Sequence, residues 1–184
     1  MKRKLYRDLY EVRTERDPDT GRERKRAVYR GEFYCLIMDP GEKRKRSAGL
    51  ALLILASILL YLTCGFLNLP SSRSFYVLPF YLCLLFPLFY AAMAAFRLVW
   101  LPQAFTRIQK AECLDSLPHS CVGLMVLSGL YIAGSILFLT LDGANSRFQE
   151  ELQGIACIAG VGFLAGLIRR GIARLSVSAC TPKP

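Results

Sequence analysis

The four long apolar stretches of this sequence contain no Asp, Glu, Lys, Arg or His. A proton- or ion-coupled transporter usually keeps an ionisable side chain inside the membrane, because that group carries the coupled ion. The chain also has a single histidine, His119, and no Ser/His/Asp or paired-carboxylate arrangement at membrane depth. These absences disfavour a coupled transporter and leave little for general acid–base catalysis. We therefore expect a non-enzymatic protein without a cofactor.

The sequence has seven cysteines but no C-x-x-C motif and no regular spacing between them. Such a set is not typical of a disulfide framework or of a zinc site, so we expect most of these thiols to be reduced and structural. A membrane thiol oxidoreductase would need a reactive vicinal pair, and no two cysteines are adjacent. His119 and the nearby Cys113 match no metal-binding pattern, and His119 is interpreted as a solvated loop residue.

Four apolar stretches are long enough to cross a bilayer. The first has 20 residues and would rise about 30 Å as a helix, which is the thickness of the hydrocarbon core. The predicted spans are residues 48–67, 75–96, 121–141 and 152–168. The sequence thus predicts an all-α integral membrane protein with four transmembrane helices and both termini on one side.

Three segments follow from the distribution of charge. A basic cytoplasmic segment covers residues 1–46, the four-helix transmembrane domain covers 47–170, and a short cytoplasmic tail covers 171–184. Asp39-Pro40-Gly41-Glu42 has the form of a helix start, with Asp as the cap and Pro at the first helical position. The first helix is therefore predicted to begin near Pro40 and to continue unbroken into the bilayer.

The basic segment shows the alternation of a β-hairpin. Residues 9–16 and 26–36 are rich in alternating, β-favouring side chains, and 17–21 supply a turn with Pro and Gly. An isolated hairpin is marginal in water, so it would lean on the membrane, the middle loop or a partner. The alternative is a disordered basic tail, because the first 46 residues carry 24 charges.

The orientation follows from the positive-inside rule. The residues before the first span, between spans 2 and 3, and after the fourth span include 22 of the 24 Lys and Arg residues. The two short loops hold only Arg73 and Arg147. This asymmetry predicts that both termini are cytoplasmic, in a multi-pass protein of the plasma membrane. The absence of N-x-S/T sequons is compatible with a bacterial membrane.

Clusters of cations flank the first and the last span. Anionic headgroups attract such cations at roughly 1 kcal/mol each. The residues predicted to contact lipid headgroups are Lys43, Arg44, Lys45, Arg46, Arg169 and Arg170. Basic residues interleaved with tyrosines in the N-terminal segment would also suit nucleic acid, but beside a membrane anionic lipid is the nearer polyanion.

Two features of the spans bear on helix packing. Gly160, Gly162 and Gly166 form a smooth groove that suits close helix packing inside the bundle or a dimer face. Pro79 and Pro87 predict one or two kinks in the aromatic-rich second span. That span could line a ligand groove, but packing and lipid contact are the simpler explanation of its aromatic residues.

The loop between the second and third spans, residues 97–120, shows a brief helical pattern. Leu101, Ala104, Phe105 and Ile108 recur at helical spacing, which predicts a short interfacial helix. Taken together, these features favour an accessory, assembly or regulatory subunit that contacts membrane lipids and a protein partner or its own copies. The alternative is a small oligomeric transporter or efflux component.

Overall fold

Four long helices make up most of the protein. In the computed structural model, helices α1 to α4 cover Pro40–Phe66, Leu78–Val99, Arg107–Leu141 and Phe148–Ala173. Each is long and apolar enough to cross a membrane, which confirms that the chain has four candidate spans. The structure describes residues 10–16, 23–29, 31, 33–67, 69–71, 74–141, 148–175 and 177–180.

The helices pack as a four-membered bundle. α1 contacts α2, α2 contacts α3, α3 contacts α4, and α4 returns to α1. The core between them is built from side chains such as Leu84, Leu124 and Ile158, which are almost completely buried. Large apolar side chains such as Phe86 and Phe163 lie exposed on the outside. This pattern suits a bundle surrounded by lipid tails, where exposed apolar surface carries no penalty.

α1 begins as the sequence predicts. Asp39 is the N-cap residue, its carboxylate accepts a hydrogen bond from the Gly41 amide at 3.2 Å, and Pro40 is the first helical residue. The helix then continues to Phe66 without a break, so the start at Pro40 and the apolar span form one element.

The two prolines of the second span have different surroundings. α2 begins at Leu78, so Pro79 lies in its first turn and removes no helical hydrogen bond, and no kink is expected there. Pro87 lies inside the helix. A Cβ built on Gly123 of α3 would lie 3.4 Å from the Pro87 ring, so a glycine lets α3 approach at this point.

The predicted interfacial helix is wrong. Strand β4, Ala104–Thr106, occupies this position, and α3 starts directly after it at Arg107. The Thr106 side chain and Gln109 form a capping box that fixes this start. α3 includes a π-helical turn, Ala111–Asp115, and carries His119 as an exposed helical residue rather than a loop residue.

Short strands form two separate sheets. β1, Tyr10–Arg16, pairs antiparallel with β2, Glu23–Tyr29, and Tyr10 lies opposite Tyr29. The predicted second strand of the hairpin is split, because residues 33–36 form β3 in another sheet. The predicted turn at residues 17–21 lies outside the described residues.

The second sheet joins three distant parts of the chain. β3, Phe33–Leu36, is its central strand, with β4 on one side and β5, Val177–Cys180, on the other, and both pairings are antiparallel. It lies where α1 and α3 begin and α2 and α4 end, and we call this the sheet end of the bundle. The opposite end, where residues 67–77 connect α1 to α2, is called the loop end.

One pair of cysteines forms a disulfide, although the spacing of the cysteines in the sequence did not predict one. Cys35 of β3 and Cys180 of β5 form a disulfide with a Cα–Cα distance of 5.9 Å. The free cysteines are Cys64, Cys83, Cys113, Cys121 and Cys157, all within helices. Cys64, Cys113 and Cys121 are buried, as expected for thiols that act as small apolar side chains.

Candidate functional surface at the sheet end

The six predicted lipid-contact cations all lie at the sheet end, and we call them the basic collar. They are Lys43, Arg44, Lys45 and Arg46 at the start of α1, and Arg169 and Arg170 near the end of α4. Five of them are exposed, and Lys43 is partly buried. The collar therefore surrounds the sheet from two neighbouring helices.

Two collar residues also make contacts within the fold. The Lys43 ammonium donates a hydrogen bond to the carbonyl of Leu101, which ties α1 to the segment after α2. Arg46 lies 3.8 Å from Glu42 and donates to the carbonyl of Arg174 at 3.4 Å. Arg44 and Lys45 are exposed and lie between these two anchors.

The positive end of the α1 dipole is unfavourable for basic residues at the start of this helix. A helix N-terminus carries about half a positive charge, which favours acidic residues and disfavours basic ones. Asp39 and Glu42 match this preference, but Lys43 to Arg46 do not. The helix dipole therefore does not account for this run of cations. The α4 pair has the opposite geometry, because cations suit a helix C-terminus.

Three surface grooves at this end combine apolar walls with a cation. The largest, about 490 Å³, lies on α4 and is lined by Gly162, Phe163 and Gly166 together with Arg169 and Arg170. A second, about 420 Å³, has Lys43, Arg44 and Trp100 in its wall. The third, about 250 Å³, lies beside Tyr90 and the ion pair of Arg97 with Glu112. Apolar walls beside a cation match the shape and chemistry of an anionic lipid.

The glycines of α4 do not share one role. A Cβ on Gly160 would lie 2.9 Å from Leu60 of α1, and a Cβ on Gly162 would lie 3.2 Å from Ser128 of α3. Gly166 has no heavy atom within 4 Å of such a Cβ among the described residues. Gly160 and Gly162 therefore face neighbouring helices, whereas Gly166 leaves an open groove.

A buried cluster of polar side chains occupies the half of the bundle nearer the loop end. The rings of Tyr61 and Tyr81 stack with centroids 4.6 Å apart, and each hydroxyl donates to the backbone carbonyl of the other residue. The hydroxyl of Tyr131 lies 3.6 Å from the sulfur of Cys64, which also lies 3.9 Å from the carbonyl of Gly154. These contacts fasten α1, α2, α3 and α4 to one another.

The sequence interpretation missed one residue of this half, Glu151. It directly precedes the predicted fourth span, 152–168, and the structure places it in the first turn of α4, where it is 3 % exposed. Its carboxylate accepts hydrogen bonds from the Ser71 amide at 2.8 Å and from the Ser71 hydroxyl. The spacing of Glu151, Gly154 and Ile158 in the sequence could have indicated that Glu151 is buried, because it matches the buried face of the helix.

These groups form hydrogen bonds and packing contacts within the bundle. Within the described part of the chain, no group of three or more His, Cys, Asp or Glu side chains is placed to hold a metal ion. Both carboxylate oxygens of Glu151 are occupied by Ser71. In the basic collar, Arg44, Lys45, Arg169 and Arg170 are exposed. Comparison of the chain with family models, curated proteins and solved structures gives no match.

Proposed function

We propose that this chain is a non-enzymatic accessory, assembly or regulatory subunit of the plasma membrane. Its four helices span the bilayer, both termini face the cytoplasm, and the sheet end contacts anionic lipid. The N-terminal segment that contains β1 and β2 is then available to a partner protein.

The observation that carries this proposal is the sheet β4-β3-β5. The N-terminal segment, the loop between α2 and α3, and the C-terminal tail are separated by transmembrane helices, yet each contributes one strand. Together with the helix ends that adjoin them, these three segments hold 22 of the 24 basic residues. Their common location supports one cytoplasmic face. A protein that builds a small folded unit there, with no unused acidic or metal-binding cluster among its described residues, is suited to binding rather than catalysis.

Lipid contact is supported by the collar and its grooves. Arg44, Lys45, Arg169 and Arg170 are exposed, and apolar walls adjoin them. Trp100 is 75 % exposed beside the second groove, where an aromatic side chain suits the membrane interface. An anionic headgroup on the collar also offsets the cations at the start of α1.

The test is a mild-detergent pull-down of the tagged full-length protein beside a variant that lacks residues 1–31. This truncation removes β1 and β2 but keeps β3, so the sheet end stays intact. A matched control replaces Arg22, Arg24, Lys25 and Arg26 by Gln and retains the strand backbone. We expect a stoichiometric membrane partner, identified by mass spectrometry, that is lost in the truncation. The proposal fails if both versions purify alone as the same oligomer.

The alternative, a small oligomeric transporter, is supported by the open groove at Gly166. Gly166→Ile would fill this groove without meeting a neighbouring helix, whereas Gly162→Ile would collide with Ser128 inside the bundle. Loss of self-association in Gly166→Ile, with unchanged thermal stability, would favour the oligomer. A monomer that co-purifies with another membrane protein would favour the subunit.

A further inference from the structure

The disulfide between Cys35 and Cys180 joins the two ends of the membrane domain. Cys35 pairs with Ser178, and Phe33 pairs with Cys180, so the two cysteines are diagonal neighbours on one face of the sheet. They are separated by 145 residues in sequence, and all four helices lie between them. The bond therefore fixes the C-terminal strand to the strand that precedes α1.

The bond lies at the free end of β5. At the inner end of this four-residue strand, Val177 pairs with Leu36, which packs into the core. At the outer end, Cys180 pairs with Phe33. A four-residue edge strand is marginally stable by backbone pairing alone. Without the bond, β5 is therefore expected to fray from Cys180 inward until it separates from β3.

The pair is also accessible to reagents in solution. Cys35 and Cys180 are partly exposed and belong to strands. The five free cysteines of the described residues belong to helices, and three of them are buried. A soluble thiol can thus reach the Cys35–Cys180 bond more easily than a site within the bundle.

The redox environment around the sheet determines whether the Cys35–Cys180 disulfide persists. Under the proposed orientation, on which this step rests, the sheet faces the cytoplasm, where dithiols keep cysteines reduced and disulfides are transient. We propose that Cys35 and Cys180 are a reversible thiol–disulfide exchange site that controls whether β5 stays attached to β3.

Reduction of the Cys35–Cys180 bond by a dithiol proceeds in two steps. A thiolate of a cytoplasmic dithiol attacks one sulfur of the pair, which breaks the Cys35–Cys180 bond, forms a mixed disulfide and releases the other cysteine as a thiolate that takes up a proton. The second thiol of the reductant then displaces the bound cysteine. The dithiol leaves as a disulfide, having lost two electrons and two protons, and the protein holds two thiols. A low-molecular-weight disulfide, such as oxidised glutathione, drives the reverse reaction.

The first experiment measures the state of the pair in cells. Full-length protein is expressed in a bacterial host, free thiols are trapped with N-ethylmaleimide, disulfides are then reduced, and the released thiols are labelled with a maleimide–polyethylene glycol. We expect no shift in growing cells and a shift by two labels after treatment with diamide, reversed when the oxidant is removed. Cys35→Ser and Cys180→Ser should each abolish the shift, whereas Cys83→Ser should leave it unchanged.

The second experiment measures release of the strand. Trypsin is added to inside-out vesicles, and cleavage after Arg174, between α4 and β5, is followed. Cleavage should be several-fold faster in reduced than in oxidised protein, and Cys35→Ser should match the reduced form under both conditions. Equal rates in oxidised and reduced wild-type protein would show that the bond does not control the strand and would overturn the proposal.

A third measurement distinguishes failure of the exchange site from failure of the proposed orientation. Intact spheroplasts are treated with a protease that removes an N-terminal tag. A stable disulfide in growing cells with the tag protected overturns the exchange site alone. A stable disulfide with the tag cleaved from outside overturns both. Failure to form the bond under diamide overturns the exchange site whatever the orientation.

Discussion

Glu151 and Ser71 are 80 residues apart and share two hydrogen bonds at the loop end, one from the Ser71 amide and one from its hydroxyl. Both residues are almost fully buried. The carboxylate therefore fastens the connection between α1 and α2 to the first turn of α4. Its position at a helix N-terminus is also favourable for a negative charge.

Removing this carboxylate should destabilise the bundle. Glu151→Ala leaves the buried Ser71 amide and hydroxyl without their acceptor, and we expect a loss of about 1–3 kcal/mol in the free energy of unfolding. The measurement is unfolding in mixed micelles with increasing SDS. Glu150→Ala is the matched control, because Glu150 lies in the same turn and is exposed. Equal effects of the two substitutions would contradict a specific role for the Glu151–Ser71 contact.

A single methyl group should disrupt the stacked tyrosines. A Cβ on Gly65 would lie 2.4 Å from the Tyr81 hydroxyl, which donates to the Tyr61 carbonyl at 3.1 Å. Gly65→Ala should therefore displace the rigid Tyr81 ring and lower stability by about 1–3 kcal/mol. Gly129→Ala is the control, because no heavy atom of the described residues lies within 4 Å of a Cβ built there. That control should be neutral or slightly stabilising, since Ala has the higher helix propensity.

Neutralising free collar residues should weaken lipid binding without unfolding the protein. Arg44→Gln with Lys45→Gln removes two exposed cations, each worth roughly 1 kcal/mol or about five-fold in affinity for an anionic surface. The readout is the amount of phosphatidylglycerol that remains bound in native mass spectrometry. Lys43→Met should instead lower stability in zwitterionic and anionic bilayers alike, because Lys43 bonds to Leu101. Similar lipid retention by the double variant and the wild type would argue against headgroup binding.

A buried serine of α3 should be dispensable. Among the described residues, the Ser128 hydroxyl is buried without a hydrogen-bond partner. Ser128→Ala removes the desolvated group, so stability should stay unchanged or rise by about 1 kcal/mol. Ser57 is the comparison, since its hydroxyl donates to the Leu53 carbonyl at 2.9 Å. A marked loss of stability in Ser128→Ala, measured in the same SDS titration, would indicate a partner for this hydroxyl.

The sequence predicts best those features that depend only on residues close together in the chain. A run of apolar residues as long as 48–67 has few stable conformations besides a helix, and Asp39-Pro40 fixes where that helix starts. The sheet could not be predicted in this way, because residues 33–36 alternate like the strand before them. Alternation shows that a strand is present but does not identify its partner, and β4 and β5 are too short to give a signal alone.

In the candidate surface too, the sequence located residues but did not identify their tertiary contacts. Charge runs locate the basic collar without any tertiary information, whereas the inward position of Lys43 depends on a carbonyl 58 residues away. Phe105 was placed on a helical face, but it lies opposite Tyr34 in the sheet. Phe105 is 1 % exposed, whereas Ala104 of the same predicted face is exposed. The local pattern of apolar residues therefore did not identify which of these side chains the sheet buries.

The Cys35–Cys180 bond makes the oxidised protein a covalent macrocycle that includes every transmembrane helix. A single backbone cut at the loop end would then leave one molecule on a non-reducing gel and two fragments after reduction. The macrocycle also cannot close until residue 180 has emerged from the ribosome, and α1 to α4 emerge before it. Closure of this bond therefore marks a chain in which all four helices have already emerged.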